Sequence, residues 1–183
     1  MEREWKWRDL VNKEVRKGVL KKFGRLYLRF IRMFILLGIL MHFFAFGIVP
    51  TASMKPNFQE EDFILFNKTQ DVTYGDVIFF EPPGTDGEVY LKRVIAKGGD
   101  SVKIQEGKVY VNGKVIEEPY IEESPRYSQE KWVVPDRKLY VLGDNRNHSS
   151  DSHVWGFVPV ENVKGKAIAV ILPWKRFSLL FLS

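Results

Sequence analysis

Residues 109–116 read Val109-Tyr110-Val111-Asn112-Gly113-Lys114-Val115-Ile116. Strand-forming side chains flank an Asn-Gly pair on both sides. Asn and Gly tolerate the positive φ that a two-residue turn demands, so this stretch predicts a β-hairpin. Working outward, short apolar runs recur between turn residues. Ahead of the turn they cover 63–66, 77–80, 89–95, 102–105 and 108–111; beyond it they cover 115–117, 138–142 and 166–172. Val, Ile, Phe and Tyr dominate them, as strands prefer. Gly75-Asp76 and Gly98-Gly99-Asp100 mark further turns. The expected fold is all-β: antiparallel sheets closed into a barrel or packed as a sandwich, with their edges hidden. The polar, proline-containing stretch 117–136 reads as a surface excursion. The apolar tail 172–183 is too short to span a bilayer and is expected to pack on the sheets, with a place at the lipid interface as the other reading.

N-terminal to the β-rich region lies a different kind of segment. Residues 33–49 (MFILLGILMHFFAFGIV) carry no formal charge. As a helix they span about 25 Å, and extension back to Leu26 lets Arg29 and Arg32 reach the interface. Residues 1–32 hold 11 Lys/Arg against 4 Asp/Glu, and residues 33–183 hold 17 against 19. The positive charge is thus confined to the stub before the apolar run. By the positive-inside rule the stub stays in the cytoplasm. Three segments are expected: a basic cytoplasmic 1–32, a single membrane-spanning helix over 33–49, and an extracytoplasmic β-rich domain over 50–183. The apolar run exceeds a signal-peptide core of 7–15 residues and follows a long stub, so it reads as a retained anchor. Ala45-Phe46-Gly47 nonetheless forms a small-x-small triplet at its end. His42, inside the run, reads as a neutral residue facing a helix neighbour or a water defect.

Composition removes several functions. The chain has 183 residues and no cysteine, which excludes a disulfide framework, a thiol nucleophile and every Cys-ligated metal site. The three histidines form no His-x-x-x-His pair, and no phosphate loop or dinucleotide fingerprint is present. Because the basic excess sits in the stub, nucleic acid is not an expected partner. No cofactor or metal is expected.

Three stretches carry candidate chemistry. Pro50-Thr51-Ala52-Ser53-Met54-Lys55-Pro56 sets a serine on a proline-bracketed turn. A serine hydroxyl needs a base to act as a nucleophile. Lys92 lies in the strand 88–96, where alternation sends Tyr90, Lys92 and Val94 to one face and Leu91, Arg93 and Ile95 to the other. If the Lys92 face is inward, burial lowers its pKa and the neutral amine can take a proton. Alternation alone leaves open whether Lys92 or Arg93 faces in. The third stretch, 143–156, is a loop of 14 residues dense in hydrogen-bonding groups. It reads either as an internally bonded loop or as a polar support for the amine.

These segments, in this order after one anchor, resemble bacterial type I signal peptidase (leader peptidase). Residues 50–56 resemble the family's nucleophile box. Tyr74-Gly75-Asp76-Val77-Ile78 is similar to its second box, and Lys92-Arg93-Val94-Ile95-Ala96 through Gly99-Asp100 to its general-base box. Gly143 to Gly156 resembles the Gly-Asp-Asn-Arg box. The resemblance implies a β-rich Ser-Lys endopeptidase of the cytoplasmic membrane. Its implied partners are membrane lipid and exported preproteins with small-x-small cleavage sites. Carried over by position, Ser53 is the nucleophile and Lys92 the general base. The Ser53 N–H and Thr51 hydroxyl form the oxyanion hole, and Ser149 orients the amine. Asp144, Arg146 and Asp151 are supporting partners, while Val49, Met54, Phe58, Tyr90 and Leu91 line the substrate pockets. Thr51 replaces a common Ser or Gly and keeps the hydroxyl. Ala52 replaces Gly and should avoid positive φ. His153 replaces the usual Arg opposite Asp151, so that ion pair becomes titratable or is lost. Three other readings stand beside this one. They are a conjugation or pilus maturation peptidase with the same dyad, a Ser-His variant using His148 or His153, and a non-catalytic, membrane-tethered peptide-binding domain.

Overall fold

The computed structural model describes residues 2–85 and 87–180, with side chains from residue 15 onward. The last three residues of the expected C-terminal packing segment lie outside the described residues. Helix α1 runs Glu2–Phe43. Within it, Val15–Phe43 is long and apolar enough to cross a membrane, and its apolar window is wholly exposed.

The strands follow: β1 Phe44–Ile48, β2 Phe63–Asn67, β3 Val77–Phe80, β4 Tyr90–Lys97, β5 Ser101–Gln105 and β6 Lys108–Val111. After these come β7 Lys114–Val115, β8 Gln129–Val133, β9 Lys138–Leu142, a short helix α2 Ser152–Trp155, β10 Val158–Pro159, β11 Val163–Leu172 and β12 Ser178–Leu179. The main sheet has the order β1-β2-β11-β3-β4-β9-β10, with β12 added to β11; the second has the order β7-β6-β5-β8. The pairings are antiparallel. The expected all-β class with one N-terminal apolar helix is therefore the observed one. At the hairpin, Asn112 (φ 53°) and Gly113 (φ 78°) both take left-handed backbone, and Val111 pairs with Lys114.

Two expectations need correcting. The segment 33–49 is not one helix: α1 ends at Phe43, and Phe44-Ala45-Phe46-Gly47-Ile48 is the edge strand β1. Pairing with β2 from Phe44↔Asn67 to Ile48↔Phe63 captures these residues, and Phe46 stacks on Phe63 with ring centroids 5.4 Å apart. A continuous apolar run hides this change from helical to strand period. The division into compact units accordingly falls at His42/Phe43. Secondly, the stretch 117–136 is not wholly an excursion. It contains β8, which pairs with β5 through Ser101↔Val133 and Val102↔Trp132. Exposed Glu130 and Lys131 disguise a strand whose Gln129 and Trp132 turn inward.

Three apolar clusters hold the domain. One, with Ile95, Val102, Ile104, Val109, Tyr140 and Leu142, joins the two sheets. Another, with Ile78, Phe80, Val94 and Val141, lies within the main sheet. The third gathers Val49, Met54, Phe58, Ile64, Phe79 and Leu91 beside the serine turn. Each fully buried aliphatic side chain contributes about 1.5–3 kcal/mol relative to exposure. The tail packs as expected up to Leu180: β12 adds to β11, and Arg176 makes a two-bond ion pair with buried Asp62 (2.9 Å each).

Candidate active site

Ser53 sits in a 3-10 turn, Ala52–Met54, five residues after β1. Val49, buried in the third cluster, fixes where the turn begins: its N–H donates to the Asp62 carbonyl, and its carbonyl accepts from the Glu61 N–H (both 3.0 Å). Ala52 lies outside the left-handed region, so the missing glycine costs no strain there.

Lys92 comes from β4, paired with Ile78 of β3, and is 3% exposed. Its Nζ lies 2.6 Å from Ser53 Oγ. Thr51 Oγ1 donates to the same oxygen at 3.1 Å. Arg93, the next residue, leaves on the opposite face. Its guanidinium donates twice to Asp144 (2.8 and 2.7 Å) and once to the Gly75 carbonyl, beneath the Tyr120 ring. The choice that alternation left open is thus resolved. Arginine keeps its charge and takes the carboxylate; lysine takes the apolar side. Burial pushes the Lys92 pKa down from 10.5 to about 8, against the opposing fields of Asp151 and Asp144. Desolvation wins because both carboxylates already have closer partners. Asp144 is held by Arg93 and by Asn57 Nδ2 (2.8 Å). Asp151 accepts from the Gly143 N–H (2.9 Å) and lies 2.6 Å from His153 Nδ1. His153 therefore keeps the pairing with Asp151 despite replacing Arg.

The loop 143–156 is stitched to the serine turn. The Asn145 N–H donates to the Ser53 carbonyl (3.1 Å), and its Nδ2 to the Ala52 carbonyl (3.2 Å). Arg146, 1% exposed, pairs with Glu118 through two bonds and donates Nε to the Gly143 carbonyl (3.0 Å). Ser149 Oγ is buried beside Gly143 but makes no hydrogen bond among the described residues, so it does not hold the Lys92 amine. A Cβ on Gly143 would collide with the Ser149 hydroxyl and the Ser53 carbonyl, which explains the glycine.

A cleft of about 250 Å³ opens on the pair. Residues 49–53 line it from one segment, Tyr90, Leu91 and Lys92 from β4, and His148 and Ser150 from the loop. Of the expected pocket residues, Val49, Tyr90 and Leu91 line this cleft. Met54 (0% exposed) and Phe58 (1%) do not; they are core residues packed with Val49 and Leu91. Sequence reading missed the individual parts of Asn57, Asn145, Arg93, Glu118 and Tyr120. Asn145 lies inside the Gly143 to Gly156 box, whereas Glu118 and Tyr120 lie in the polar stretch 117–136, whose composition carries no signal for them. A serine oxygen in contact with a buried amine of lowered pKa, a hydroxyl donor beside it and an open cleft can together carry out acyl transfer.

A family model described as signal peptidase, peptidase S26, matches residues 23–174. A probable signal peptidase I-2 of Synechocystis sp. is 40% identical over 143 residues, covering 72% of this chain and 65% of that protein. A probable signal peptidase I-1 of the same organism is 38% identical over 162 residues, covering 80% of this chain and 81% of the relative. Among solved structures, a signal peptidase I from Enterococcus faecalis V583 matches at 28% identity with a TM-score of 0.46, over 52% of this chain and 96% of that one.

Proposed function

The chain belongs to the signal peptidases of the peptidase S26 family, serine endopeptidases, and on that premise we propose that it removes N-terminal signal peptides from exported preproteins with a Ser53–Lys92 dyad while anchored in the membrane by α1. The observation that carries the dyad is the 2.6 Å contact between Ser53 Oγ and a buried Lys92 Nζ.

The neutral Lys92 amine accepts the Ser53 proton as Oγ attacks the scissile carbonyl carbon. The carbonyl oxygen becomes an oxyanion, stabilised by the Thr51 hydroxyl and the Ser53 N–H. Lys92, now an ammonium, gives its proton to the departing amine, and the peptide bond breaks. A water molecule, deprotonated by Lys92, then attacks the acyl-serine ester and frees the carboxylate and Ser53. Arg93, Asp144, Asn145 and Asp151 hold the loop against the serine turn, so the reacting atoms need little rearrangement. Asp144, Arg146 and Asp151 support the dyad through this loop.

The substrates are preproteins with small side chains at the first and third positions before the cut. The small volume of the cleft, about 250 Å³, and its apolar wall of Val49 and Leu91 support this preference. The basic stub before α1 supports a cytoplasmic N-terminus, with the β domain outside. The test is cleavage of an Ala-x-Ala precursor in detergent. Wild type cuts after the second Ala, and Ser53→Ala and Lys92→Ala leave the precursor intact. Cutting by either variant at the wild-type rate contradicts the dyad.

A further inference from the structure

We propose that His148 is a specificity-determining residue, favouring preproteins that carry an acidic side chain beside the scissile bond. The inference rests on the endopeptidase reading above and extends it to the residues flanking the cut.

His148 ends the 3-10 turn Arg146–His148 in the loop 143–156 and lines the same cleft as Ser53 and Lys92. It is exposed, whereas the dyad is buried. Its ring makes no hydrogen bond or ion pair among the described residues, so its nitrogens are uncommitted. Its backbone, in contrast, is fixed. The His148 N–H donates to the Asn145 carbonyl (3.0 Å), and Asn145 is itself bonded to Ser53 and Ala52. On the other side, the Asn147 side chain accepts from the Arg126 N–H (2.8 Å) and donates to Glu123 (3.0 Å) and to the Ser124 carbonyl (3.1 Å). The ring is therefore a donor on a held backbone, with no hydrogen-bond partner among the described residues.

The chemistry of the cleft decides what such a donor selects. Residues 49–53 bring no charge, and Leu91 is apolar. Lys92 is committed to Ser53, and the phenol of Tyr90 to Glu88 (3.2 Å). His148 is thus the one side-chain nitrogen donor lining the cleft that has no partner among the described residues. No carboxylate lines it, so a carboxylate on the substrate meets no repulsion there. Successive residues of an extended peptide are about 3.3 Å apart, so only the few flanking the cut come within reach. With small side chains at the first and third positions before it, the acidic residue belongs at the second position before the cut or the first two after it.

The experiment uses the full chain in detergent and Ala-x-Ala peptides that differ only in Glu, Gln or Lys at those three positions. The readout is the ratio of kcat/KM between the Glu and Gln peptides, and between the Glu and Lys peptides. A common factor such as Lys92 protonation cancels in these ratios. Wild type is expected to favour Glu over Gln by about two- to fivefold at one position, the range of one exposed hydrogen bond to a charged acceptor. His148→Gln brings the ratio to about one, and His148→Glu reverses it so that the Lys peptide is preferred. Equal ratios in wild type at all three positions, or a wild-type preference that survives His148→Glu, overturns the proposal. Absence of cutting on every peptide, Gln included, removes the endopeptidase reading itself and this inference with it.

Discussion

Lys92 shows how one side chain divides between stability and chemistry. Burial lowers its pKa to about 8, so the folded protein releases a proton that the unfolded chain holds up to about 10.5. Between those values the unfolded state binds more protons, and stability rises with pH. Below pH 8 the full penalty of the buried amine applies. Lys92→Met, which keeps length and removes the charge, is expected to raise stability at pH 7 by roughly 1–3 kcal/mol, with the gain shrinking by pH 10. Thermal unfolding at the two pH values checks this; equal Tm changes at both contradict the burial argument. Thr51 is a second residue-scale case. Its hydroxyl sits 3.1 Å from Ser53 Oγ, so Thr51→Val should lower kcat about 100-fold with KM little altered. Thr51→Ser keeps the donor and should restore most of the rate. A loss confined to KM would place Thr51 in binding instead.

At the scale of the element, the loop 143–156 is held to the serine turn across a gap that admits no side chain at Gly143. Gly143→Ala is expected to push Ser149 and the Ser53 carbonyl apart, with destabilisation of about 1–3 kcal/mol and loss of most activity. Denaturant unfolding and the cleavage assay together test it; a fully active, equally stable variant contradicts the close approach. The elements themselves were unevenly legible. β3, β6 and β9 are legible to the residue because turn residues bound short runs of strand-forming side chains. The Asn112-Gly113 hairpin was legible because its backbone demand is specific. β1 was not, because an apolar run that serves first a helix and then an edge strand carries no mark at the change. β8 was hidden by exposed charges on an edge strand, the same feature that keeps such edges from pairing further. Sequence placed Ser53, Lys92 and the loop in one site through the resemblance. The roles of Arg93 and Asn57 depend on which face of β4 turns inward and on contacts spanning 51 and 87 residues, which no local pattern encodes.

For the whole molecule, the separation of charge along the chain is the informative property. Eleven basic residues precede residue 33, and the remainder is slightly acidic. The proposed orientation in the membrane rests on that asymmetry rather than on any single contact. The chain lacks cysteine, so single reporters are straightforward to introduce. In intact cells, a membrane-impermeant maleimide should label Glu106→Cys, in the exposed turn between β5 and β6. It should label Lys21→Cys only after permeabilisation. The opposite pattern would reverse the proposed topology.

The most direct measurement is the pH dependence of Ser53 acylation by a serine-reactive probe, followed by intact mass in wild type and Lys92→Ala. The rate should climb as Lys92 loses its proton, with a midpoint near pH 8 and a plateau above it, and Lys92→Ala should remain unacylated. A flat profile in wild type, or acylation of Lys92→Ala at the same rate, would contradict a buried neutral amine as the base that activates Ser53.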